Sequence, residues 1–256
     1  MDVGIIILLC IGAFAAGFVD AIVGGGGLIQ TPLALILLPG LPVATVIGSL
    51  KIPSFSGTLF AAKQYLQQVR MDWKLLSVMM LLAVPSAFAG STLLTVVQND
   101  FMKPLLLVVL SFMVVYTYAK KNFGQHKDKS HSTARQLLYA ILISLTVGFY
   151  DGFIGPGTGS FFVVAFIALL GFDFLHASAN AKMVNLATNF GSICLFISKG
   201  KVIWSIAIPM AACNAVGGFI GAKLAIAKGN KFIRLFFLLV IVGTLVRFAY
   251  DVFKRR

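Results

Sequence analysis

Charged residues are scarce in this sequence, and acidic residues are the scarcest of them. Only 11% of the 256 residues are charged, and eight residues are acidic. A soluble domain typically carries about 25% charged residues. Hydrophobic residues make up 59% of the chain, which excludes an ordinary soluble protein. Apolar stretches long enough to cross a bilayer recur along the whole length, so the composition predicts an all-α, polytopic helical membrane protein.

Cysteine and histidine are also rare. Cys10, Cys194 and Cys213 lie in apolar segments, without metal-ligand spacing and without the pattern of a disulfide framework. We therefore expect no metal and no cofactor. The net charge of +13 comes mostly from lysines and arginines in short loops. That distribution is typical of loops that face the cytoplasm and anionic lipid, and no aromatic-basic motif indicates nucleic acid.

The apolar segments give a first map of the chain. Segments of about spanning length are predicted at 3–22, 45–66, 73–97, 103–119, 136–153, 177–198, 203–224 and 231–250. Two shorter segments, 28–38 and 159–172, follow glycine-rich stretches. Glycine disfavours helix, and irregular backbone in a bilayer is tolerated only inside protein or at a watery cavity. We therefore predict broken or re-entrant helices after the glycine-rich motifs.

A shift of 131 residues aligns the two halves of the sequence without a gap. The stretch GFVDAIVGGGG at 17–27 falls on GFYDGFIGPGT at 148–158, so Asp20 matches Asp151. The same shift places Lys51 on Lys182 and Trp73 on Trp204. Matched charged and aromatic residues at one offset indicate an internal duplication.

The duplication predicts two pseudo-symmetric repeats of four to five hydrophobic segments. The first transmembrane repeat covers 1–119, a polar basic linker covers 120–135, and the second repeat covers 136–256. Four spans per half would make the repeats parallel, and five would make them inverted. The basic residues do not decide between these arrangements, because each places one basic cluster on the outer side.

Two lysines lie well inside apolar segments, each at the head of a polar stripe. Residues at i+3 and i+7 share a helical face with residue i. These positions hold Ser54 and Thr58 after Lys51, and Asn185 and Asn189 after Lys182. Two such stripes at a repeat interface would form a cationic pocket for a small oxyanion.

The glycine-rich breaks supply a second set of donors. A helix N-terminus carries unpaired N–H groups and a partial positive charge, which favour an anion. We predict that the ends of the two short helices line the substrate site, through Gly25, Gly26, Thr31, Gly157, Thr158 and Ser160. Asp20 and Asp151 are predicted either to hold the lysines in ion pairs or to carry a coupling proton.

Enzyme interpretations fit less well. GPGTGS at 155–160 lacks the ending and the preceding strand of a phosphate-binding loop. An intramembrane aspartyl protease needs two carboxylates that share a proton, and the glycine-x-glycine-Asp signature is absent. We expect no enzyme. An anion channel is the first alternative to a transporter, and the protease is a weaker one.

The sequence resembles the TauE/SafE family, also called the sulfite exporter or toluene-sulfonate uptake permease family. The resemblance covers nearly the whole chain and rests on GFVDAIVGGGGLIQTP, GFYDGFIGPGTGSF, HASANAKMVNLATNFGS and GKVIW. It implies a multi-pass inner-membrane permease for sulfite, sulfoacetate or another organosulfonate, working by alternating access. Proton coupling and a homodimer are further expectations, while the direction of transport stays open.

Overall fold

The computed structural model describes residues 3–97 and 132–254, with side chains up to residue 236 and at residue 239. The regular structure in these residues is helical: α1 (Val3–Val23), α2 (Gly26–Leu37), α3 (Val43–Gln68), α4 (Trp73–Val96), α5 (Thr133–Phe153), α6 (Thr158–Ala165), α7 (Phe174–Ser198) and α8 (Trp204–Lys254). A π-helical turn, Phe166–Leu170, continues α6. The segment predicted at 103–119 and most of the predicted linker lie outside the described residues.

Five of the described helices are long and apolar enough to cross a membrane: α1, α3, α4, α5 and the Trp204–Phe236 part of α8. The 25-residue α7 carries Lys182 and several amides, and most of its residues are buried. α8 runs through both segments predicted at 203–224 and 231–250, with non-helical backbone at Gly229. The structure confirms a polytopic helical membrane protein.

The two short helices follow the glycine-rich motifs. Gly24 and Gly157, just before α2 and α6, have φ values of 81° and 82°. L side chains rarely adopt this backbone conformation, whereas glycine does so readily and lets the chain change direction. α2 and α6 begin at Gly26 and Thr158, within two residues of the starts predicted from sequence.

The helices of the two halves correspond in position and in contacts. α3 and α7 begin at 43 and 174, and α4 and α8 begin at 73 and 204. Gly90 of α4 lies against Phe149 of α5, and Gly221 of α8 lies against Phe18 of α1. These two contacts are related by the same shift of 131 residues. The correspondence of the sequences therefore extends to the packing, while the duplication itself stays a prediction.

The matched helices α3 and α7 run in opposite directions. Gly48, near the start of α3, lies against Phe196, near the end of α7. Further along α3, the Thr58 hydroxyl lies 3.5 Å from Asn185 Oδ1 in the middle of α7. α3 and α7 are therefore antiparallel, as inverted repeats would make them, while the arrangement of the whole repeats stays a prediction.

The helices pack in two groups that do not follow the two halves of the sequence. α8 packs along α1 and α3, whereas α4 packs along α5 and α7. We call α1, α2, α3 and α8 the first bundle, and α4, α5, α6 and α7 the second bundle. α4 and α8 thus each lie in the bundle built mainly from the other half. The bundles meet chiefly where α3 crosses α7.

Candidate functional site

Each intramembrane lysine bonds the aspartate of the other half of the sequence. Lys51 Nζ lies 3.0 Å from Asp151 Oδ1 and 2.7 Å from the Asp151 carbonyl oxygen. Lys182 Nζ lies 2.7 Å from Asp20 Oδ2. Lys51 and Asp20 belong to the first bundle, and Lys182 and Asp151 belong to the second. Both ion pairs therefore join one bundle to the other.

The Lys51–Asp151 pair forms at a helix end. α5 ends two residues after Asp151, and the Gly155 N–H donates to the Tyr150 carbonyl. The last carbonyls of a helix need partners from outside the helix, and the Asp151 carbonyl accepts a hydrogen bond from Lys51. Asp151 Oδ2 is buried and has no hydrogen-bond partner in the described residues.

The Lys182–Asp20 pair has a different environment. The Lys182 side chain is 0% exposed, and that of Asp20 is 21% exposed. Asp20 Oδ1 accepts a hydrogen bond from the Gly26 N–H at 3.3 Å, so this carboxylate also holds the first residue of α2. Both oxygens of Asp20 are therefore bonded.

The two glycine-rich breaks touch each other. The Ser160 N–H donates to the Gly24 carbonyl oxygen at 2.7 Å, and the Ser160 hydroxyl donates to the Val23 carbonyl oxygen at 3.0 Å. A Cβ added to Gly24 or to Gly159 would overlap the backbone of the other segment. Because these glycines have no side chain, the N-terminal ends of α2 and α6 can lie next to each other.

A cavity of about 50 Å³ lies at this crossing. Every described helix except α4 contributes to its lining, and the charged side chains among the lining residues are Asp20, Lys51 and Asp151. A single buried water needs roughly 10–15 Å³ of such space. The cavity can therefore hold a small polar ion.

The predicted substrate residues divide into two groups. Eight of them line the cavity: Lys51, Ser54, Asn185, Asn189, Gly26, Thr31, Gly157 and Thr158. Four lie behind its surface: Lys182, Thr58, Gly25 and Ser160. The second group bonds lining residues or the backbone next to them, so these residues are placed to support the lining.

The Asn185 amide is held in one orientation. Asn189 Nδ2 donates to the Asn185 main-chain carbonyl at 2.9 Å and to Asn185 Oδ1 at 2.9 Å. The Thr58 hydroxyl donates to the same Oδ1. Because the oxygen accepts both bonds, the two hydrogens of Asn185 Nδ2 are left for a ligand in the cavity.

Two further amides in the lining were not predicted from sequence. Asn214 Nδ2 donates to Gln30 Oε1 at 2.9 Å, and Gln30 Nε2 donates to the Leu50 carbonyl at 3.1 Å. Their counterparts at the 131-residue offset are Phe161 and Ala83, so a comparison of the halves passes over them. A single amide in an apolar segment is a signal in itself, because polar groups are unfavourable there.

The site combines balanced charges with many hydrogen-bond donors. Two ammonium groups and two carboxylates form separate pairs, so the aspartates are not arranged as a proton-sharing dyad. Within residues 3–97 and 132–254, no group of three or more His, Cys, Asp or Glu side chains is placed to hold a metal ion. Ammonium, amide and main-chain N–H groups are the donors that bind oxyanions.

Residues 9–248 match the family described as Sulfite exporter TauE/SafE. A probable membrane transporter protein from a Sinorhizobium species, ORF9, is 33% identical over 243 residues, which cover 95% of this chain and 92% of the relative. A probable membrane transporter protein from Haemophilus influenzae is 32% identical over 254 residues, or 98% of each chain. YfcA from Escherichia coli is 30% identical over 239 residues, or 93% and 87%. No solved structure matches the chain significantly.

These relatives are described as probable membrane transporters and not as enzymes, in agreement with the prediction of a non-enzyme. The family match extends from α1 into α8 and so includes both ion pairs and the cavity between the bundles. The chain therefore belongs to the TauE/SafE sulfite exporter family and is a multi-pass membrane transporter.

Proposed function

We propose that the protein is a secondary transporter of a small anion, with sulfite, sulfoacetate or another organosulfonate as its substrate. The observation that carries the proposal is Lys51, a buried ammonium that lines a cavity shared by the two bundles. The family description supports a sulfur oxyanion. The bacterial relatives support a location in the cell inner membrane.

The anion would be bound by one ammonium and by the neutral donors around it. Lys51 Nζ has three hydrogens, and two of them serve Asp151. Asn185 Nδ2 adds a donor of fixed orientation. The N–H groups of Gly27 and Gly159, the second residues of α2 and α6, have no acceptor among the described residues. Two helix N-termini at one cavity favour negative charge.

The remaining predicted residues have supporting roles in this proposal. Ser54, Asn189 and Thr158 surround the anion, together with the main chain of Gly26 and Gly157. Lys182, Thr58, Gly25 and Ser160 hold the lining in place from behind. Asp20 and Asp151 hold the two lysines.

Alternating access would come from movement of one bundle against the other. Both ion pairs and the cavity lie between the bundles, so such a movement changes the site directly. The proposed repeats, 1–119 and 136–256 joined by the linker 120–135, each contribute helices to both bundles. Coupling to a proton and assembly as a homodimer complete the proposal.

Counterflow in proteoliposomes tests this function. Vesicles containing the purified protein are preloaded with unlabelled methanesulfonate, and uptake of labelled methanesulfonate is measured. A carrier exchanges one anion for another, so preloading should raise the initial uptake several-fold. Lys51→Ala should remove this effect, while Lys63→Ala, which changes an exposed lysine on the same helix, should retain it.

Two results would contradict the proposal. Uptake that is the same with and without unlabelled anion inside the vesicles, and that follows only the electrochemical gradient, would indicate an anion channel. Absence of exchange with methanesulfonate, sulfite and sulfoacetate alike, in protein that elutes as a single folded species, would contradict the substrate class.

A further inference from the structure

One carboxylate oxygen in the cavity wall has no partner. Asp151 is 3% exposed, and its Oδ2 accepts no hydrogen bond within the described residues. The other carboxylate oxygen and the carbonyl of Asp151 both bond Lys51. A buried polar atom without a partner is unfavourable, because it has lost water without a replacement. A proton on Oδ2 would neutralise the carboxylate and turn the orphaned acceptor into a donor.

The matched aspartate offers no such position. Asp20 Oδ2 bonds Lys182 at 2.7 Å, and Oδ1 accepts the Gly26 N–H at 3.3 Å. Lys182 is fully buried, so the charge on Asp20 is needed to balance it. The two aspartates therefore differ in the property that proton uptake requires, which is a carboxylate oxygen without a partner.

Few charged groups face Asp151. Lys51 approaches it from α3, and Asp20 lies across the cavity on α1. Within the described residues, α2, α6, α7 and α8 present uncharged side chains to the cavity. On α5 itself, the Tyr150 hydroxyl donates to the Pro156 carbonyl at 2.7 Å. An anion that binds Lys51 therefore meets the carboxylate of Asp151 at short range, and like charges repel there.

We propose that Asp151 Oδ2 takes up one proton with each anion that binds, so that the anion and the proton move in the same direction. This inference rests on the proposed function. When the site is open to one side of the membrane, a proton from the water on that side forms an O–H bond at Oδ2. Lys51 then donates hydrogen bonds to the anion in place of those to Asp151. When the site opens to the other side, the anion leaves, the O–H bond releases its proton to water, and Lys51 bonds the carboxylate again. A monovalent anion then crosses without net charge.

Accumulation driven by a pH difference tests the proposal. Methanesulfonate is fully ionised at neutral pH, so any proton that accompanies it is carried by the protein. With the membrane potential held at zero and one pH unit across the vesicle membrane, one proton per anion gives about tenfold accumulation, since one pH unit is a tenfold ratio. Asp151→Asn should lower this accumulation ratio to about one, and Asp151→Glu should restore accumulation driven by the pH difference.

Asp72→Asn, which changes an exposed aspartate outside the cavity, is the control, and its accumulation ratio should stay near that of the wild type. A wild-type ratio near one would overturn the proposal. The proposal would also be overturned if accumulation driven by the pH difference persists in Asp151→Asn and is lost in Asp20→Asn.

Infrared spectroscopy provides a readout that does not depend on transport. The sequence contains no glutamate, and its eight acidic residues are aspartates, so few carboxyl groups contribute. A pH difference spectrum should show a protonated carboxyl band that is absent in Asp151→Asn, shifted in Asp151→Glu and unchanged in Asp20→Asn. If Asp151→Asn does not fold, the shift of the carboxyl band in Asp151→Glu is sufficient to identify Asp151 as the protonated group.

A carboxyl band that is unchanged in the Asp151 variants would overturn the proton site. If that band is assigned to Asp151 but no sulfur anion exchanges, the proton site stands and the proposed function fails. The two failures can therefore be told apart.

Discussion

The two lysine–aspartate pairs occupy matched positions but leave different groups available. In the Lys51–Asp151 pair, the lysine lines the cavity and one carboxylate oxygen has no partner. In the Lys182–Asp20 pair, the lysine is fully buried and both carboxylate oxygens are bonded. The same residue types at one offset thus make one pair with an unpartnered oxygen in the cavity wall, where we propose that the anion binds, and one pair whose groups are all bonded.

The difference begins in the backbone at the two glycine-rich breaks. In the first half, the Gly24 N–H donates to the carbonyl of Asp20. In the second half, the matched Gly155 donates to Tyr150, one residue earlier than the repeat would place it. The carbonyl of Asp151 is then available to Lys51. The acceptor of this glycine N–H is thus displaced by one residue between the halves, and this displacement distinguishes the two pairs.

The largest expected effect comes from breaking the buried pair. Asp20→Ala leaves the ammonium of Lys182 unpaired and 0% exposed, and removing one partner of a buried pair costs about 3–5 kcal/mol of unfolding free energy. Asp151→Ala should cost less, about 1–3 kcal/mol, because Lys51 keeps the main-chain carbonyl at position 151. Denaturant unfolding in detergent compares the two variants.

A double variant, Asp20→Ala with Lys182→Met, serves as the control. It removes both charges and should recover most of the stability that Asp20→Ala loses, since apolar replacement of a whole buried pair is often neutral. Equal losses in Asp20→Ala and Asp151→Ala would contradict the distinction between the pairs.

A smaller effect is expected where the two breaks touch. Gly159→Ala places a methyl group against the backbone of Gly24, and overpacking of this kind costs about 1–3 kcal/mol. The substitution should lower the melting temperature and reduce the rate of methanesulfonate exchange, because it separates the N-terminal ends of α2 and α6. Gly40→Ala is the control, since a Cβ there has nothing within 4 Å. Similar melting temperatures for the two variants would show that the contact is unimportant.

The smallest effect concerns the orientation of Asn185. Thr58→Val removes the hydroxyl that donates to Asn185 Oδ1, and one neutral hydrogen bond contributes about 0.5–1.5 kcal/mol. The affinity for methanesulfonate, measured by calorimetry, should fall by about two- to tenfold although Thr58 does not line the cavity. Thr92→Val, on the exposed face of α4, should leave the affinity unchanged. Equal affinities in the two variants would argue against this role of Thr58.

Within the described residues, the sequence was sufficient to predict the long helices and both short helices, because apolar runs and glycine-rich breaks mark them. The 131-residue offset singled out the lysines and aspartates, because matched Asp, Lys and Trp residues stand out against an apolar background. The offset does not identify Gln30 or Asn214, whose counterparts, Phe161 and Ala83, are apolar.

The partners of the lysines could not be predicted either. Which aspartate meets Lys51 depends on where α3 approaches the end of α5 in the folded chain. These features are tertiary, and sequence spacing along one helix does not encode them. For the same reason, Lys51 and Lys182 were predicted to bind substrate alike, whereas the structure places only Lys51 of these two in the cavity lining.

The affinity for methanesulfonate, measured by calorimetry, most directly tests the claim that Lys51 is the anion-binding cation. Lys51→Ala should weaken binding at least about tenfold, because a hydrogen bond from a charged group contributes about 1.5–3 kcal/mol. The double variant Asp20→Ala with Lys182→Met removes the other pair as a neutral unit and should change the affinity by no more than about threefold. Wild-type affinity in Lys51→Ala, with binding lost in the double variant, would contradict the account.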